Sequence, residues 1–318
     1  MSVNTQRSPV MMAPPLKLSR AFAAPEKIVA LVDSGSPYKT ITAVQKQPAD
    51  ENTPGWFRNF WALGGKVIFD GAEEAFHNPI FIDAAKKSFG AEIIQPLAMM
   101  TNLNVPAPAP APHLDLPFFR GAHKREVPSW MLAPMGYSGL FQPWAIPVAS
   151  AISWFSLGNG GGFEYWPGGL DEDSLVVDPP FFNTAVVADN EYMFHRVGHS
   201  GDEENYLAQG ISSEALLHRV DNGWEIRLED NLIRAYPDRQ MRVSVLWKAY
   251  CFQSQADADA FNDPAFNLTP DQVVDIFTAD LRKRGVTCAD PQDLESDTEW
   301  MQVIEEHYGL PANAVQKY

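Results

Sequence analysis

Of the chain's seven histidines, one has a carboxylate two residues later, in His113-Leu114-Asp115. Residues i and i+2 of a strand project from the same face, so this imidazole and this carboxylate can converge on one point. That is one edge of a metal site, and a third donor has to arrive from another strand. His195 is best placed, in the run Met193-Phe194-His195-Arg196-Val197, where alternation puts Met193, His195 and Val197 on one face. His199, in a Gly-His-Ser-Gly turn, ranks second, and His218, in Leu216-Leu217-His218-Arg219-Val220, ranks third. Taken singly, any of these is as well explained as a packed histidine satisfied by a carbonyl; the grouping makes the site. Two histidines and one carboxylate leave coordination positions vacant, a donor set suited to non-haem iron(II).

Further along, Arg242-Val243-Ser244 opens a strongly alternating run through Val245, Leu246, Trp247 and Lys248. Arg242 and Ser244 share a face, and a guanidinium beside a hydroxyl grips a carboxylate through charge-assisted hydrogen bonds. Other chemistry finds less support. Gly158-Asn159-Gly160-Gly161-Gly162 lacks the Gly-Lys-Ser/Thr of a phosphate loop. Gly136-Tyr137-Ser138-Gly139 and Gly198-His199-Ser200-Gly201 both miss the last glycine of a nucleophile elbow.

These residues need strands to hold them. Twenty-six prolines and 21 glycines among 318 residues favour short strands joined by turns. The pattern predicts strands from Ile93 to Leu103, His113 to Phe119, Ser129 to Ala133, Ala145 to Leu157 and Gly162 to Trp166. It continues from Asn183 to Ala188, Met193 to Val197, Ala215 to Val220, Trp224 to Leu228 and Arg242 to Phe252. Such a series implies a mainly β chain with flanking helices, its core a sandwich or jelly roll. Helices are expected after Pro25, between Gly71 and Phe89, from the Thr269-Pro270-Asp271-Gln272 capping box to Gly285, and from Asp297 to Tyr308. Residues 1–23 read as a flexible arm and 24–318 as one domain. Within it, 24–90 are mixed and helical, 91–252 form the β core, and 253–318 form helices that brace it.

Composition narrows the partners. With 24 Lys+Arg against 40 Asp+Glu, the formal charge of -16 has the wrong sign for a nucleic-acid surface or an anionic membrane. The longest near-apolar stretch, Pro143 to Phe155, is broken by two prolines and two serines and is no membrane span. Two cysteines in no metal-type spacing imply no disulfide framework and fit a reducing, cytoplasmic setting. A small-molecule substrate is expected, because no module for a peptide or a nucleic acid is visible. Arg120 and Arg196 are candidates to hold a substrate carboxylate.

On His113, Asp115, His195, Arg242 and Ser244, the stretch 91–252 resembles the iron(II)- and 2-oxoglutarate-dependent dioxygenase superfamily, with its pattern of H-x-D, a distal His, and an Arg, often as R-x-S. The resemblance implies a double-stranded β-helix of the jelly-roll, cupin-like kind. It implies iron(II) on His113, Asp115 and His195, 2-oxoglutarate on Arg242 and Ser244, and O2 as oxidant. It also implies that Met99, Thr101 and Leu103 line the cosubstrate pocket. Oxidative decarboxylation to succinate would be coupled to C–H abstraction, leading to hydroxylation, desaturation or ring closure. Arg242 stands further beyond His195 than in many members, which requires an inserted hairpin or helix between Gly201 and Asp238. The alternatives are a cupin-like metalloenzyme that does not use 2-oxoglutarate and a non-catalytic ligand-binding jelly roll.

Overall fold

A computed structural model of the chain describes residues 11–123, 126–158, 160–177, 179–310 and 314–316. The N-terminal part holds β1 (Leu16–Leu18), α1 (Pro25–Ser34), β2 (Tyr38–Thr40), α2 (Ile41–Val44), β3 (Trp56–Leu63), β4 (Lys66–Val67), α3 (Glu73–Phe76) and α4 (Pro79–Phe89). The middle holds β5 (Ile93–Asn104), β6 (His113–Leu114), α5 (Ser129–Ser138), β7 (Val148–Trp154), β8 (Phe163–Trp166), β9 (Leu175–Val177), β10 (Thr184–Ala188) and β11 (Phe194–Val197). There follow β12 (Leu216–Val220), β13 (Gly223–Leu228), β14 (Asn231–Pro237), β15 (Arg242–Phe252), α6 (Gln255–Asn262), α7 (Pro270–Lys283), α8 (Thr298–Tyr308) and β16 (Val315–Gln316).

Two sheets form the core, antiparallel except where β16 pairs β6. The larger contains the order β10-β7-β15-β5, and the smaller contains β6-β11-β8-β9. Along the chain, β5, β7, β10 and β15 lie in the large sheet, while β6, the β8–β9 pair and β11 fall between them in the small one. The chain therefore winds back and forth between two sheets as a double-stranded β-helix, as expected. Trp154, Phe163, Tyr165, Val186 and Ala188 from both sheets pack into one apolar cluster. Beyond β5 the large sheet continues through β3, β2, β12, β13 and β14. The last three are the insertion that separates His195 from Arg242.

β15 shows how the sequence makes this layer. Val243, Val245, Trp247 and Cys251 point outward into the largest apolar core, against Phe57 and Trp61 of β3 and Ile28, Val32, Phe76 and Phe81 of the N-terminal helices. Arg242, Ser244 and Leu246 point inward to a cavity. Trp247 Nε1 donates to Phe76 O at 2.9 Å, so burying the indole leaves no polar atom unmet. A second core joins α5, α7 and α8 through Met131, Leu132, Phe277, Leu281, Trp300 and Ile304. The capping box at Thr269 and Gln272 is present as read.

Four expectations change. The segment read as a strand from Ser129 to Ala133 is α5, nearly buried on every side, so its residues show no helical period. The helix expected from Gly71 to Phe89 is two, α3 and α4. Asn78 caps the second by accepting from Ile80 N–H at 3.0 Å, with Pro79 at its first position. The strand beginning at His113 stops at Leu114, ahead of Pro117, which has no N–H to pair. Residues 11–23 of the expected flexible arm lie on the molecule, with β1 pairing β10 from Leu16↔Val187 to Leu18↔Ala185. Residues 1–10 of that arm fall outside the described residues. Among the described residues, no helix is long and apolar enough to cross a membrane.

Candidate metal centre and its cavity

β6 and β11 run antiparallel with His195 directly opposite His113, their ring centroids 4.3 Å apart. Asp115 follows the end of β6, where its N–H donates to Asn190 O at 2.9 Å and ties it to the turn before β11. One ligand atom from each of His113, Asp115 and His195 lies within 4.8 Å of the others. The rival histidines are elsewhere: His199 is exposed, and His218 faces Glu225 across the β12–β13 pair.

Hydrogen bonds orient these donors. His195 Nδ1 lies 3.0 Å from Met193 O. A carbonyl only accepts, so Nδ1 carries the proton and Nε2 presents its lone pair. Nε2 is 3.9 Å from Asp115 Oδ1. The other oxygen, Oδ2, takes Lys248 Nζ at 2.9 Å, and Lys248 reaches Glu191 Oε1 at 3.4 Å. Burial alone would raise the Asp115 carboxyl, but Lys248, His195 and His113 outweigh it and hold the group well below the usual carboxylate range. Glu191, whose one charge partner among the described residues is Lys248, is driven by burial the opposite way. The cluster thus offers two imidazole nitrogens and one carboxylate oxygen, a neutral-plus-anionic set that fits a divalent transition metal.

A cavity of about 370 Å³ opens beside these donors, walled in part by Ile152, Phe163 and Leu246. Arg242 and Ser244 line it from β15, on the same inner face as Leu246. Arg242 is buried; its Nε donates to Gly161 O at 2.8 Å and its Nη1 to Ser244 Oγ at 3.0 Å. Among the described residues, no carboxylate stands within ion-pair distance of it. Burial lowers its pKa to about 10 and leaves it cationic at neutral pH. Gly161 makes this fit possible: at φ +68 it adopts the left-handed region, and a Cβ there would sit 2.7 Å from Arg242 Cδ. Gly161 is therefore a cradle for Arg242.

Met99 and Thr101, expected to line the cosubstrate pocket, lie on the opposite face of β5. Met99 and Leu103 belong to the outer apolar core, and Thr101 is buried on that side too. Asn102 and Asn104 line the cavity in their place. The run Ala98-Met99-Met100 is apolar on both faces, so alternation alone cannot choose; the two asparagines two residues apart were the usable signal. Sequence reasoning also missed Trp56 and Arg58 of β3, which line the same cavity. Of the two arginines proposed to hold a substrate carboxylate, Arg120 donates to Phe266 O outside the cavity. Arg196 reaches the lining, but its Nε is paired with Glu164 at 2.6 Å.

No family model matches the chain, and neither does any curated protein. Similar solved structures include a 2OG-Fe(II) oxygenase family oxidoreductase from Burkholderia pseudomallei, at 12% identity over 76% of this chain and 86% of that one, TM-score 0.42. Another is HygX from Streptomyces hygroscopicus with nickel, 2-oxoglutarate and hygromycin B bound, at 8% identity over 77% and 86%, TM-score 0.39. A third is SnoK, the non-heme alpha ketoglutarate dependent carbocyclase from nogalamycin biosynthesis, at 10% identity over 81% and 89%, TM-score 0.39. At these values the reading of the site rests on the chain's own strand order and side chains.

Proposed function

We propose that the chain is a non-haem iron(II)- and 2-oxoglutarate-dependent oxygenase acting on a small molecule. The observation that carries this is the pairing, in one cavity, of the His113, Asp115 and His195 donors with Arg242, a buried cation with no carboxylate partner among the described residues. A catalytic metal needs its protein ligands on one side and vacant positions on the other. A cosubstrate with two carboxylates needs a second anchor, and Arg242 with Ser244 supplies it. That anchor favours 2-oxoglutarate over a cupin-type reaction without it, and the donor cluster favours catalysis over simple ligand binding.

Iron(II) bound by the three donors would supply the redox chemistry with O2 and 2-oxoglutarate that opens a C–H bond. The chain's own residues position and shield. Lys248 holds Asp115 Oδ2 so that Oδ1 faces the imidazoles; the Met193 carbonyl fixes His195. Arg242 and Ser244 hold the far carboxylate, and Ile152, Phe163 and Leu246 give the space between an apolar wall. Hydroxylation is the default outcome. The test is succinate formation from 2-oxoglutarate by the iron-loaded protein. His113→Ala, Asp115→Ala and His195→Ala should each abolish it, and turnover retained in any one removes that residue from the site.

A further inference from the structure

Besides Arg242 and the Glu164-paired Arg196, the cavity is lined by a third guanidinium, Arg58, and nothing in the proposed use of 2-oxoglutarate employs it. It sits on β3, which pairs with β5 in the register Trp56↔Asn104 and Arg58↔Asn102. On the other side of β5, β15 pairs Arg242↔Asn104 and Ser244↔Asn102. The two arginines therefore flank the Asn102–Asn104 face of β5, two strands and one register step apart, or about 12 Å between backbones at ordinary strand spacings. Arg242 Nη1 turns to its own neighbour on β5, Asn104 Oδ1, at 3.4 Å.

The local bonding prepares Arg58 to receive something. Asn102 Oδ1 accepts from Arg58 Nε at 2.7 Å and from Trp56 Nε1 at 3.1 Å, while the guanidinium lies 5.2 Å from the centre of the Trp56 ring. With Nε tied and one face against the indole, both terminal nitrogens remain as a planar fork. Among the described residues, no carboxylate lies within ion-pair distance of Arg58. Elsewhere, in a chain with 40 acids, Arg196, Arg219 and Arg227 all pair with one. Burial brings Arg58 down to about 10, with the charge of Asp115 acting the other way, so it stays cationic at neutral pH. A partly desolvated cation without an anionic partner favours any anion that can reach it.

We propose that the cavity takes a substrate bearing a carboxylate, held by the terminal nitrogens of Arg58 with its carbon skeleton extending toward His113, Asp115 and His195. A carboxylate fits better than a phosphate ester, because one planar fork matches its two oxygens and its single charge, while Lys39, paired opposite Arg58 on β2, is exposed and is not part of the cavity lining. The inference rests on the reading of Arg242 as cosubstrate anchor.

The test uses the full chain loaded with nickel(II) and 2-oxoglutarate. The probes are aromatic and aliphatic monocarboxylates with their matched primary amides and phosphate monoesters, and binding is read by saturation-transfer NMR. Carboxylates should bind, with the amides and phosphate esters at least about tenfold weaker. Arg58→Gln should remove carboxylate binding yet leave 2-oxoglutarate affinity unchanged by calorimetry, and Arg58→Lys should restore part of the carboxylate signal. The inference is overturned if no carboxylate binds, if amides or phosphate esters bind equally well, or if Arg58→Gln changes nothing. Loss of 2-oxoglutarate binding in Arg58→Gln also overturns it, since Arg58 would then be the cosubstrate anchor. Failure of the unaltered chain to take up metal and 2-oxoglutarate would instead defeat the proposed function, and carboxylate capture by Arg58 would still be readable in the metal-free protein.

Discussion

Lys248 decides which oxygen of Asp115 faces the imidazoles. Replacing it by Met removes the charge that keeps this carboxyl ionised and oriented, and leaves Glu191 buried without its cation. Lys248→Met should weaken manganese(II) binding by about 10–100-fold in a calorimetric titration, the range typical of lost outer hydrogen bonds at metal sites; unchanged affinity would contradict this role. Asp189 offers a separate pH test. Burial, working against its hydrogen bonds, raises its carboxyl to about 7 from 3.8. The folded chain thus holds a proton that the unfolded chain releases, so this group's stabilising contribution is full below about 4 and is lost as pH rises through about 7. Asp189→Asn should gain melting temperature relative to the parent over that interval in metal-free buffer, and parallel pH profiles would refute the assignment. The trio was legible because H-x-D spacing and a strand-borne His survive as local pattern. Lys248, Glu191 and Arg58 were not, since an ion pair between β15 and the turn before β11 leaves no trace in sequence spacing.

Gly161 lies on the connection between β7 and β8, and its value comes from Arg242 on β15. Gly161→Ala would place a methyl group against Arg242 Cδ and force a left-handed backbone on alanine. It should weaken 2-oxoglutarate binding by roughly tenfold, a shift of about 1.4 kcal/mol, while manganese(II) affinity stays within error; calorimetry with each ligand separates the two effects. β15 itself was readable from end to end, because its outer face is apolar and its inner face carries Arg242, Ser244 and Lys248. β3 was not. Its Arg58-Asn59 centre interrupts the apolar alternation, and the inward Arg is the very residue that lines the cavity. α5 was missed for the opposite reason: apolar almost throughout and buried all round, it offers neither a period of two nor one of 3.6.

The two largest apolar cores divide the labour of the molecule. One lies outside the large sheet against the N-terminal helices; the other joins α5, α7 and α8 around Phe277, which meets Phe141, Trp300 and Tyr308 edge-on or tilted. Phe277→Ala should lower unfolding free energy by about 3–5 kcal/mol in urea, as for other large core truncations, with metal affinity unchanged because none of the donors is a member of that core. The net charge of -16 surrounds a cavity that presents Arg58 and Arg242, so an anionic ligand would be drawn to the interior and not to the surface. Anaerobic addition of iron(II) and 2-oxoglutarate to the purified chain tests the whole account most directly. The visible charge-transfer band of the iron–2-oxoglutarate chelate should develop at one equivalent of each and be absent in His195→Ala; a colourless mixture with no heat of 2-oxoglutarate binding would contradict it.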